Sequence, residues 1–179
     1  MTRSSDPEAT RIDDAGLVRA PRWLVHRRLA DLDAWPSWWP GMHRLGRRRD
    51  GDHWLHHVEV AASGPWRPRR ALRLSVLAHG HRPDVGLRLL VAGDVCADVE
   101  FWLEDVGQGG SGGTLVHHLA TVTGPTARSA TRWRAVVRRG TWALADRLAA
   151  EVRRAVLVEP AAAASAPSRA GPDPGRAGP

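Results

Sequence analysis

A chain of 179 residues is one domain with flanks, long enough to bury a core without staples. Its single cysteine, Cys96, excludes an internal disulfide framework and a zinc site built on cysteine pairs. The net charge of +7 is carried by arginine alone, without lysine, as codon bias in a GC-rich genome would give. Such arginine is scattered, whereas a nucleic-acid face concentrates charge beside aromatic platforms. No apolar run marks a signal peptide or a spanning helix. The expectation is a cytoplasmic protein with no transmembrane segment and no specific nucleic-acid partner.

Residues 1–9 offer nothing to bury and read as a disordered flank. Residues 10–19 form a poor first strand. Ala20-Pro21 opens a helix, with proline suited to a first turn, and Trp23, Leu24, Leu29 and Leu32 fall roughly on one side. Then Asp31-Leu-Asp-Ala-Trp-Pro-Ser-Trp-Trp-Pro-Gly41 places Trp35, Trp38 and Trp39 within five residues, in a chain with no tyrosine and one phenylalanine. This segment reads as a second short helix ended by Pro40-Gly41. Its tryptophans either plug a core or wall a cavity.

Alternating runs follow, separated by turn signals. Asp50-Gly51-Asp52 is a hairpin turn, and His53–Ala61 is a strand. Gly64-Pro65 breaks the pattern before a strand over 70–78. His79-Gly80-His81-Arg82-Pro83 reads as a solvated turn. Strands over 85–91 and 95–103 flank Gly93-Asp94. Residues 107–113 (Gly-Gln-Gly-Gly-Ser-Gly-Gly) resemble a phosphate loop only superficially, since they join two strands and open no helix. The last strand covers 114–123. Beyond Gly124-Pro125 the period becomes helical, with Trp133, Val137, Gly140, Leu144, Leu148, Val152 and Ala155 on one broad stripe over 129–157. Trp142 falls off that stripe. Residues 158–179, rich in Ala, Pro and Gly, read as a disordered tail. The domain is therefore expected over 10–157. A meander of about six antiparallel strands curls, and the terminal helix is suited to cover its concave face.

The segment from Ala20-Pro21 through Trp35-Pro-Ser-Trp-Trp-Pro-Gly41 resembles the helical segment of the START-like, or SRPBCC, superfamily. Glu100-Phe-Trp-Leu-Glu104 and Gly113-Thr-Leu-Val-His-His118 resemble its final hairpin. Residues 132–148 resemble its closing helix, and the polyketide cyclase/dehydrase-like branch is the most similar. The resemblance implies an α+β helix-grip fold. A curved seven-stranded antiparallel sheet would carry two short helices after the first strand and a long C-terminal helix over its concave face. It also implies an internal pocket for a hydrophobic ligand, but no particular reaction.

Strand parity sorts the histidines, because adjacent side chains point to opposite faces. His56 shares a face with Trp54, Val58 and Val60; His118 shares one with Thr114, Val116, Ala120 and Val122. Two inward histidines are candidate acid/base groups, or hydrogen-bonded core residues. The expected ligand-binding wall is Trp35, Trp38, Trp39, Trp54, Phe101, Val116, Trp133 and Val137. Glu100 shares a face with Asp98 and points outward, so no metal site with the histidines is expected, and no cofactor. Cys96 reads as a small buried hydrophobe. Parity also turns Arg73, Ser75 and Arg88 outward, leaving a pocket poor in polar groups, which favours binding over turnover. The leading expectation is binding of a lipid, quinone or polyketide-like molecule by a monomer or homodimer. The alternative is a polyketide cyclase or dehydrase using His56 and His118; an arginine-rich module for anionic partners is a third reading.

Overall fold

Proline and glycine punctuate the chain where its elements change. In the computed structural model residues 9–61, 71–108, 112–123 and 128–164 are described, the last stretch with side chains between 130 and 154. The flank over 1–8, the Gly64-Pro65 break, part of the 107–113 connection, Gly124-Pro125 and residues 165–179 lie outside the described residues.

Strand β1 (Thr10–Val18) leads into helix α1 (Arg22–Ala30) and the single-turn helix α2 (Trp35–Trp38). Strands β2 (Met42–Asp50), β3 (His53–Ala61), β4 (Ala71–Arg82), β5 (Gly86–Gly93), β6 (Cys96–Val106) and β7 (Gly113–Thr123) follow, and helix α3 (Arg128–Ala164) closes the chain. Among the described residues the seven strands make one antiparallel sheet in the order β1-β7-β6-β5-β4-β3-β2. Helix α3 crosses the inner face of this α+β helix-grip fold and runs past the expected end at Leu157 to Ala164.

Alternation places the core as parity requires. Val58 and Val60, Leu72, Leu74 and Val76, Leu87, Leu89 and Val91, Val99, Phe101 and Leu103, and Val116 and Val122 all point inward and are buried. From α3, Trp133, Val136, Val137, Leu144 and Leu148 cover them. Two expectations fail for reasons of register. The segment His79–Arg82 is strand rather than turn: a bulge between Ala78 and Gly80 lets β4 continue, and the reversal comes at Pro83 and Asp84. Past that bulge His81 pairs with Leu87 and faces inward, where its Nε2 lies 3.0 Å from Nε2 of the buried His26. Cys96 is exposed, because Ala97, Val99 and Phe101 hold the inward positions of β6. Trp23 is also exposed, with the Arg27 guanidinium 5.1 Å from its ring.

Candidate functional site

The tryptophan segment is core. Pro36 starts the α2 turn, and Gly41, at φ +71°, ends the segment in a backbone conformation that favours glycine. Trp35, Trp38 and Trp39 are buried against one another, with ring centroids 5.0 to 6.2 Å apart. The Trp35 indole N–H donates to the Leu29 carbonyl at 3.0 Å. Trp39 lies against α3 at Gly140, where an added Cβ would sit 2.3 Å from the indole ring. The closing helix therefore rests on this ring through a residue with no side chain.

Of the expected ligand wall, Trp35, Trp38, Trp39, Phe101, Val116, Trp133 and Val137 are brought into one buried cluster. Trp54 is not. It has the expected parity, but it stands two residues from the β2–β3 turn, is 45% exposed and lies under the Arg47 guanidinium at 4.4 Å.

The two inward histidines occupy different surroundings. His56 is buried on β3 with Nδ1 3.6 Å from Asp33, a carboxylate that also takes Arg44 and Arg47 and so ties the α1–α2 connection to β2. Burial pushes the His56 imidazole below its ordinary value, against the pull of Asp33. His118 lies on β7, four strands away in the sheet order, roughly 19 Å along the sheet at ~4.8 Å per strand. The two rings thus stand on non-adjacent strands among different neighbours.

His118 is 3% exposed, packed between Phe101 and Trp133. The Trp133 indole N–H donates to its Nε2 at 3.3 Å. Indole is only a donor, so Nε2 carries no proton and the neutral ring carries it on Nδ1. Burial pushes this imidazole down to about 4, which leaves it neutral at pH 7. Its Nδ1–H is buried and has no hydrogen-bond partner among the described residues.

His118 lines a crevice of about 60 Å³ between β1, β7 and α3, together with Asp14, Ala15, Gly16, Val116, Val137, Arg138, Thr141 and Trp142. Asp14, the cross-strand neighbour of His118, takes a bidentate pair from Arg134 at 2.6 and 2.7 Å. That hydrogen-bonded guanidinium holds its carboxyl below the ordinary value. Asp14, Arg138 and Trp142 are not among the residues that the sequence marks as a site. The signals for them were an acidic residue at an inward position of β1, between Ile12 and Gly16, and a tryptophan off the helix stripe four residues after an arginine.

A larger cavity, about 540 Å³, lies mainly on the outer face of the sheet beside His79, Arg88, Glu100, Trp102 and Leu119. Glu100 and Arg88 point outward there, as parity required, and Arg88 approaches both Asp98 and Glu100. Among the described residues no three histidine, cysteine or carboxylate side chains gather as a metal ion needs, and no helix is long and apolar enough to cross a membrane.

No protein-family model matches the sequence, and no curated protein does. Solved structures match the fold. The protein TTHA0849 of Thermus thermophilus is 15% identical with a TM-score of 0.61, the match covering 79% of this chain and 99% of that one. The Zhui aromatase/cyclase of a Streptomyces species is 16% identical with a TM-score of 0.58, over 83% of this chain and 96% of that one. A START superfamily protein of Mycobacterium smegmatis is 16% identical with a TM-score of 0.59, over 79% and 97%. The fold is therefore START-like, as the tryptophan segment implied.

Proposed function

We propose that the chain binds a small, largely apolar molecule, such as a lipid, quinone or polyketide-like compound, through a carbonyl-type oxygen held by His118 beneath α3. The observation that carries this reading is the His118 Nδ1–H, a buried donor without a partner on a ring that lines a crevice. A donor left in that state costs about 1–3 kcal/mol, and an acceptor brought to it removes the cost. The crevice has room for the acceptor group and a few atoms around it, so the body of the ligand lies toward its mouth.

The alternative, a cyclase or dehydrase, draws support from the likeness to an aromatase/cyclase fold. A neutral imidazole N–H is suited to polarising a carbonyl, but a cyclase also needs a proton acceptor; His56 stands on a non-adjacent strand, and Arg134 occupies the Asp14 carboxylate. Binding is therefore the reading with fewer requirements. The arginines weigh against a single anion-binding face: Arg22 and Arg28 on α1, Arg73 on β4, Arg88 on β5 and Arg134 on α3 each meet a carboxylate.

The test is titration with acetylnaphthalene, an aryl ketone, followed by the indole N–H signals in nitrogen-15 NMR. Saturable binding that moves the Trp133 signal is expected. His118→Gln, which keeps a donor, retains binding, and His118→Phe loses it. No saturable binding to the parent chain, or equal binding to the Phe variant, overturns the reading.

A further inference from the structure

The crevice that reaches His118 is polar and aromatic at its rim in one particular way. Trp142 is 60% exposed, although it belongs to a helix whose other large apolar side chains described here are mostly buried. Arg138, one helical turn earlier, holds its guanidinium 5.4 Å from the Trp142 ring centroid. Both line the crevice. One rim carboxylate, Asp14, lies within the field of two cations, Arg134 and Arg138. Arg134 takes Asp14 in a bidentate pair, and Arg138 makes no ion pair among the described residues. Gly16 and Ala15 leave the β1 side of the opening low, and an added Cβ at Gly16 would reach Thr141 at 3.3 Å.

We infer that this rim selects an aromatic acid: a planar molecule whose anionic group pairs with Arg138, whose ring lies on Trp142, and whose carbonyl-type oxygen reaches the His118 Nδ1–H. The inference rests on the proposed binding at His118 and adds the chemical class of the ligand. Each part of the ligand answers a separate feature of the site. The Arg138 guanidinium, which shares the field of Asp14 with Arg134 but has no ion pair of its own among the described residues, is suited to an anion, the exposed indole face to a flat ring, and the orphan imidazole N–H to a neutral acceptor. The indole face and the guanidinium stand within one turn of α3, so ring and anion are neighbours in the ligand.

The experiment compares acetylnaphthalene with the corresponding acetylnaphthoate, which differs by one carboxylate. The acid is expected to bind roughly five-fold tighter at low salt, the size of an exposed ion pair, and the preference should fade in molar salt. In Arg138→Gln the ratio of the two dissociation constants should fall to near one. Trp142→Ala should weaken both ligands by roughly five- to ten-fold. Both substitutions fall on exposed side chains, so the fold is not at issue. A ketone that binds as tightly as its acid, or a preference that persists in Arg138→Gln, overturns this inference and leaves the proposed binding standing. If neither ligand binds, both fail together.

Discussion

His118 couples the stability of the fold to pH. Its imidazole titrates at about 4 in the folded chain against an ordinary 6.5, because burial disfavours the cation. The unfolded chain therefore binds more protons between those values, and stability rises with pH across them. The contribution is present above pH 6.5 and is lost as pH falls toward 4, amounting to about 3 kcal/mol over that window. His26 and His56 are held down by burial as well and add to the same slope. Urea unfolding at several pH values should show stability falling between pH 6.5 and 4. His118→Gln, with nothing to titrate there, should flatten much of that fall. An unaltered slope in this variant would mean that the ring is not held neutral by burial.

Among the elements, the seat of α3 on α2 decides how tightly the inner face is closed. The long helix meets the tryptophan cluster at Gly140, and the Trp39 ring fills the space where a side chain would stand. Alanine is the better helix former by about 1 kcal/mol, so propensity alone favours Gly140→Ala. Packing decides otherwise, because overfilling a close-packed core costs about 1–3 kcal/mol or more. Gly140→Ala is expected to lower the urea midpoint, and a raised midpoint would show that α3 does not rest on Trp39. This seat explains what was legible in the sequence and what was not. The inward parity of β3, β6 and β7 and the stripe of α3 could be read from alternation alone, since both record burial on one face. Local pattern could not decide whether the tryptophans lined a cavity. That depended on a glycine a hundred residues away and on the crossing of α3. The fate of His81 was hidden in the same way: a bulge at Ala78 and Gly80 shifts the register by one, and parity counted straight through it gives the wrong face.

For the whole molecule, the fold gathers buried side chains under the inner face, among the described residues, with a narrow crevice along one edge. The edge strands are β1 and β2. Arginines at 44, 47, 48 and 49 and a bulge between Arg44 and Gly46 make β2 a poor template for pairing with another chain. Strand β1 instead lies beside α3, tied to it by Asp14 and Arg134, and the crevice opens between them. The likeness to START-like structures gives the architecture, while the choice of site comes from one orphan donor and the residues around it. The tryptophans are buried in the core, and the proposed site lies where His118, Arg138 and Trp142 converge.

The deciding measurement is nitrogen-15 NMR of the His118 ring, in the free chain and with acetylnaphthalene bound. The ring is expected to be neutral at pH 7, protonated on Nδ1 and not on Nε2, with an Nδ1–H signal that moves when the ketone binds. A ring protonated on Nε2, a cationic ring at pH 7, or an Nδ1–H signal indifferent to a bound ketone would contradict that expectation.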